Sequence, residues 1–221
     1  MSSGIAWAIL LPLSGAIASS FAGPRFWRPI ACITSLGTPA ATLIVAGSVA
    51  TRGPLRHSVG GWAAPLGIEL RADGLAALML AASGLVGALV SANAIKTHAS
   101  SSRVAGSFFA LWFFTWSALN ALFLSADIFN LYVTLELMTL AAVALIGFGR
   151  DRAALRAALR YLLVALPGSL IYLLGVAILY GIYATLDSNV LGARIDAGAA
   201  TWTSLSLMTL GLGLKSALFP L

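Results

Sequence analysis

The chain has 221 residues, of which 60% are hydrophobic and 9% charged, with a mean hydropathy of +0.96. Soluble domains carry about 25% charged residues, so this chain cannot bury its apolar surface in a globule of its own size, and the lipid bilayer is its natural solvent. The net charge of +6 sits on arginines and lysines placed between apolar runs, which is the pattern of membrane loops and excludes a nucleic-acid surface as the main reading.

A membrane-crossing helix needs roughly 20 apolar residues at ~1.5 Å rise each. Seven candidate spans follow in chain order, at 4–22, 30–50, 73–95, 106–125, 128–149, 158–184 and 201–219. The first follows "MSSGIAW", which lacks a basic start, so it reads as a retained span and not as a signal peptide. Between the second and third spans, "HSVGGWAAPLGIELRADG" has turn residues at Gly60, Gly61, Pro65 and Gly67 and alternates apolar and polar residues from Ile68 to Arg71. It predicts a short hairpin over the outer face, with Trp62 at the interface and Asp73 capping the third span. In the third span Ser83, Gly87 and Ser91 recur every four residues, the spacing of a close-packing face. No composition shift marks a linker. The chain reads as one all-α transmembrane domain over 1–221, with N-terminal helices and hairpin in 1–105 and the Glu136 and Lys215 spans in 106–221.

Loop charges set the orientation. Arg25, Arg28, Lys96, Arg103, Arg150, Arg152, Arg156 and Arg160 fall on one side, against Arg52, Arg56, Arg71 and Arg194 on the other. The richer side should face the cytoplasm. A multi-pass protein of the cell inner (plasma) membrane with its N-terminus outside is expected. "RDRAALRAALR" puts Arg152, Arg156 and Arg160 on one helical face as a basic anchor.

Two ionisable residues lie deep within spans. Glu136 is eight residues past Ile128 and thirteen before Gly149, and Lys215 has about fourteen residues of its span before it. A charge near the bilayer centre costs at least ~2.5–3.5 kcal/mol on insertion scales and must face protein or water, which makes both functional candidates. On a 3.6-residue period Tyr132 and Thr139 share a side with Glu136, while Ser204, Met208 and Gly211 share a face with Lys215. Gly211 leaves space beside the lysine stem for water or another helix. Pro220 should break or kink a continuing helix. Desolvation and a nearby carboxylate move a lysine pKa in opposite directions, so lysine, unlike arginine, can take up and release a proton. Lys215 is therefore assigned as proton carrier and Glu136 as its electrostatic partner.

Tyr161, Tyr172 and Tyr183 recur every eleven residues along the sixth span, where Pro167 and Gly168 should kink it. They either border a wet path or pack with their hydroxyls bonded to neighbours. Tyr132, Thr139, Tyr161, Tyr172 and Ser204 are the candidate path-lining residues. Asp127 falls opposite Glu136 and reads as a cap or interface residue. His57 and His98 lie in loops without partners at metal spacing, and Cys32 is the single cysteine. With no phosphate-binding loop, Cys/His cluster or nucleophile elbow, no cofactor, no metal and no catalytic centre within the chain are expected.

"DIFNLYVTLELM" followed by "GLKSALFPL" resembles the antiporter-like subunits of respiratory complex I and of Mrp-type multisubunit cation/proton antiporters. "GGWAAPLGIELRADGLAALML" leans toward the D-type member of the Mrp assembly. The resemblance runs from about Gly60 onward. It implies a fold of two inverted five-helix repeats, each offering a proton half-channel, with a glutamate in the fifth span and a lysine in a broken seventh helix, matching Glu136 and Lys215. The eighth span and second repeat are absent, so the chain is expected to be the first part of such a subunit, cut within a helix, or split. The implied function is a proton-translocating membrane subunit of a cation/proton antiporter, with other membrane subunits as partners, protons as substrate and sodium as a further candidate. The alternative is a proton-pumping membrane subunit of NADH:quinone oxidoreductase or a membrane-bound hydrogenase, and hence part of an oxidoreductase. The third is a structural scaffold subunit.

Overall fold

A computed structural model describes residues 3–23, 25–62, 67–97, 102–149 and 151–216. Pro65, His98, Arg150 and Pro220 lie outside the described residues, as does the side chain of Arg103. The chain forms helices α1 (Ser3–Phe21), α2 (Trp27–Arg52), α3 (Gly74–Thr97), α4 (Ser102–Leu124), α5 (Ile128–Ile146), α6 (Arg152–Tyr183), α7 (Ser188–Arg194) and α8 (Ala199–Lys215), with strands β1 (Leu55–Ser58) and β2 (Glu69–Ala72) paired between α2 and α3. Among the described residues, α1 to α6 are long and apolar enough to cross a membrane, and the chain is a multi-pass membrane protein. The seventh expected span corresponds to α8, whose described part is 17 residues long. The short α7 was not anticipated: seven residues with an apolar face are too few to register as periodicity.

The helix starts follow capping chemistry. Asp127, Asp151 and Asp187 each precede a helix in extended backbone and accept hydrogen bonds from its first free N–H groups. Such caps contribute about 1 kcal/mol each, and the negative charge suits the helix dipole. Asp73 caps α3 through Ala76 N, at 2.9 Å. The basic segment 152–160 is the first part of α6, which runs unbroken through Pro167 for 32 residues.

The chain divides into two compact units. The first comprises Met1–His57 and Leu70–Leu124, and so holds α1 to α4. One core cluster gathers Ile5, Val45, Leu80 and Leu124 with Leu70 and Ala72 of β2. A second is aromatic, with Trp27 stacked on Phe109 at 5.9 Å and Phe109 against Phe113 at 5.4 Å. The small face of α3 has partners on α4. Ser83 donates to Asn120 Oδ1 (2.8 Å) and accepts from Trp116 Nε1 (3.0 Å), Trp112 Nε1 donates to Ser91 (2.9 Å), and Gly87 lies flat against the Trp116 ring. Asn120 also donates to the Ala8 carbonyl at 2.8 Å.

The second unit comprises Ser58–Glu69 and Ser125–Leu221. In it α6 is the central element, packed against both α5 and α8. Glycines allow the α6–α8 approach: a Cβ on Gly211 would lie 2.6 Å from the Gly168 carbonyl oxygen, and one on Gly175 would lie 2.7 Å from that of Ser204. Real side chains do not tolerate such distances, so the two backbones meet only because these positions are glycine.

Candidate functional site

Glu136 sits midway along α5 and Lys215 on the last described turn of α8. The α6–α8 contact carries the lysine toward α5. Its Nζ donates to Glu136 Oε2 at 3.2 Å and to Thr139 Oγ1 at 3.1 Å. The lysine and glutamate side chains are only 10% and 19% exposed, so the ion pair is largely withdrawn from the surface. A third helix joins through Ser169 of α6, whose hydroxyl donates to the same Glu136 oxygen at 2.5 Å, in the range of a charge-assisted O–H···O⁻ bond. Glu136 Oε2 is thus held by α6 and α8 together. Two of the three N–H bonds of the ammonium are engaged among the described residues.

The other candidate residues are placed unevenly. Thr139 is buried within the cluster, and its own hydroxyl donates to Leu135 O at 2.8 Å. Tyr172 is buried and donates to the Ile128 carbonyl at 3.1 Å, one helical turn along α6 from Ser169. Ser204 is fully buried in the α6–α8 contact, donating to Gly175 O at 2.6 Å. The space left at Gly211 is filled by the backbone of α6. Tyr132 packs on Phe129 with ring centroids 5.9 Å apart, and Tyr161 is 41% exposed; among the described residues neither bonds to the Glu136–Lys215 pair. Tyr183 joins Asp196 and Thr201 at the start of α8. Ser169 was missed from sequence. Its signal was its position, directly after Pro167 and Gly168 and three residues before Tyr172 on the same helical face. Among the described residues no group of His, Cys, Asp and Glu could hold a metal ion.

Residues 125–221 match the family "NADH:quinone oxidoreductase/Mrp antiporter, TM". The chain is 36% identical over 222 residues to the N subunit of the NADH-quinone oxidoreductase of Desulforudis audaxviator, and 30% identical over 220 residues to the D-type component of the Na(+)/H(+) antiporter of Bacillus subtilis. Over nearly its whole length the chain is similar to these antiporter-like subunits. Each alignment covers 96% of the chain but 44% of the relative, so the chain spans less than half the length of these family members. The fold agrees: a chain of the membrane-bound sulfane sulfur reductase, an archaeal respiratory membrane complex, superposes with a TM-score of 0.84 at 25% identity, over 95% of this chain and 44% of that one. The expected helical membrane architecture is therefore that of the antiporter-like subunits.

Proposed function

We propose that this chain is a proton-translocating membrane subunit of a multisubunit cation/proton antiporter, in which Lys215 relays protons and Glu136 tunes it. One observation carries this reading: the ion pair of Lys215 and Glu136, drawn together from two helices and withdrawn from the surface. Burying such a pair costs several kcal/mol per ion in desolvation, and its attraction only partly offsets that. A pair of well-packed apolar residues would hold the helices at least as well, so the charge is better accounted for by use than by cohesion.

The ammonium of Lys215 gives up a proton to water or to the next group along the path, and the neutral amine accepts one in return. Glu136 favours the charged state while it is close and disfavours it when it moves away. Ser169 and Thr139 keep the carboxylate and the amine solvated by hydroxyls through both states. The partners are other membrane subunits, the substrate is the proton, sodium is the candidate counter-ion, and the setting is the cell inner (plasma) membrane. A second reading has support in the relatives: the higher identity, 36%, is to a component of NADH-quinone oxidoreductase. In that case the same pair would serve a redox-driven pump.

Proton flux in vesicles holding equal amounts of assembled complex tests the relay. Lys215→Ala abolishes it; wild-type flux in that variant would reduce the pair to a structural scaffold. Flux driven by a cation gradient separates an antiporter from a redox pump, which responds only to its electron donor. For topology, Ser58→Cys labels from outside intact cells in a Cys32→Ser background and Ala154→Cys does not. The opposite pattern would reverse the orientation.

A further inference from the structure

The segments that precede α5 and α7 meet in an isolated antiparallel bridge, with Asp127 directly opposite Asp187. The flanking hydrogen bonds are Ile128 N to Leu186 O and Ser188 N to Ala126 O, both 2.9 Å. That pattern makes Asp127 and Asp187 a non-hydrogen-bonded pair, the type in which facing residues come closest, with Cα atoms about 4.5 Å apart. Like charges directly opposite one another in this arrangement are destabilising.

Each carboxylate uses its Oδ1 to cap its own helix: Asp127 accepts from Phe129 N and Asn130 N, and Asp187 from Asn189 N and Val190 N. Capping accounts for one oxygen of each. It does not account for Asp187 Oδ2, which is buried in a residue only 4% exposed and receives no hydrogen bond among the described residues. A buried carboxylate oxygen left without a donor is destabilising. The segments bonded to the bridge bring Tyr172 of α6, through the Ile128 carbonyl, and Glu69 of β2, through Ala126 N. The segments that meet here also carry two cations, Arg71, further along β2 and 4.0 Å from Asp73, and Arg194, in the last turn of α7.

We propose that Asp127 and Asp187 hold one proton between them, forming a protonation site at the N-terminal end of α5 that exchanges protons with the Glu136–Lys215 pair. A single proton removes the like-charge opposition and supplies the donor that Asp187 Oδ2 lacks. Burial raises the pKa of Asp127 above the usual carboxylate range, the Asn130 and Phe129 N–H groups oppose that rise, and the facing Asp187 adds to it. A line of hydroxyls leads inward. The Tyr172 hydroxyl is bonded to the Ile128 carbonyl, beside Asp127, and Ser169, one turn away on α6, is bonded to Glu136. Asp127 and Glu136 are nine residues apart, about 13 Å along the helix. The exchange rests on the relay proposed above; the shared proton does not.

The test uses the complex reconstituted in lipid vesicles, with infrared difference spectra of wild type against Asp127→Asn and Asp187→Asn as pH is varied. Asparagine keeps each cap, so loss of capping does not intrude, and Asp127→Ser and Asp187→Ser give a second, differently shaped pair. Wild type is expected to show a carboxylic C=O band that titrates above the usual carboxylate range. Either single variant removes it, because no second carboxylate is then left to share the proton. A band that survives in both variants, or its absence from wild type, overturns the shared proton. So does a band that responds to sodium concentration at fixed pH, which would make the occupant a cation. Lys215→Ala leaves the band in place, so failure of the relay and failure of this site are separate results. For the exchange, both Asn variants shift the pH profile of proton flux, and an unchanged profile in both overturns it.

Discussion

The first unit and the second both bury polar side chains between apolar helices, but they use different chemistry. Among the described residues, the polar side chains buried in the first unit are Ser, Thr and Asn. Between α3 and α4 they bond to one another at 2.8 Å and to tryptophan N–H groups at 2.9–3.0 Å. Neutral hydrogen bonds of this kind contribute roughly 0.6–2 kcal/mol each in a membrane and have one preferred arrangement. The second unit buries Asp187 and much of Glu136 and Lys215, whose charge state can change. Its α6–α8 contact is made at glycines, so Lys215 is set in place by backbone approach. The difference separates polar groups that fix a structure from polar groups that can switch.

The sharpest break in this comparison comes from Lys215 and Glu136. In the assembled complex Lys215→Ala abolishes proton flux, and Lys215→Arg does the same, since arginine keeps its proton at any working pH. Glu136→Ala lowers flux strongly, while Glu136→Asp, which keeps the charge on a shorter stem, is milder. If Lys215→Arg transports normally, charge alone suffices and proton release by this residue is refuted.

Gly211→Ala is next in size and touches neither charge. Its new Cβ would meet the Gly168 carbonyl and the Tyr172 N within 2.7 Å. The helices must separate, at a cost of about 1–3 kcal/mol, and the Lys215 ammonium moves with α8. Both thermal stability and flux per assembled complex should fall. Unchanged values in both measurements would mean that the approach of α6 and α8 does not depend on glycine at this position.

The sequence revealed the positions that carry charge or break periodicity far better than those that only complete a partner's bonding. Glu136 and Lys215 stood out because a charge in an apolar run is costly. Asp73 stood out because a helix start exposes free N–H groups. The spacing of Ser83, Gly87 and Ser91 marked a packing face, but not the Asn120 and Trp116 that fill it, since partners on another helix leave no periodic trace. Ser169 had only its position as a signal, for the same reason: a serine in a membrane helix ordinarily bonds back to its own i−4 carbonyl, and only the fold brings Glu136 within its reach. The Asp127–Asp187 bridge joins residues 60 positions apart, just ahead of a seven-residue helix, and no local pattern announces it.

Asn120→Ala probes the other side of the comparison. It removes the donor to Ala8 O and the acceptor of Ser83. A loss of about 1 kcal/mol is expected, as for other interhelical hydrogen bonds in membranes. The melting temperature drops, and flux per assembled complex stays at the wild-type level. A selective loss of flux without a loss of stability would show that neutral polar groups of the first unit also take part in transport.

The smallest effect belongs to an exposed carboxylate in the second unit. Asp196, just before α8, accepts hydrogen bonds from the Tyr183 hydroxyl at 2.8 Å, Gly198 N at 3.2 Å and Thr201 Oγ1 at 3.2 Å. The Tyr183 bond, followed by those from Gly198 and Thr201, holds its pKa below the usual carboxylate value. A depressed folded-state pKa means that the stabilisation is complete above the ordinary carboxylate pKa and is lost as pH falls through the lowered one. The linker from Ile195 to Gly198 should therefore exchange its amide hydrogens faster only under acid conditions. Tyr183→Phe removes the strongest of the three bonds, so the Asp196 carboxyl titrates closer to its ordinary value and the linker loosens at a higher pH than in wild type. Solvent competes at this surface, so the change is confined to the linker and leaves flux at neutral pH unaltered. An Asp196 titration that does not move in Tyr183→Phe would show that Gly198 and Thr201 alone hold the carboxylate.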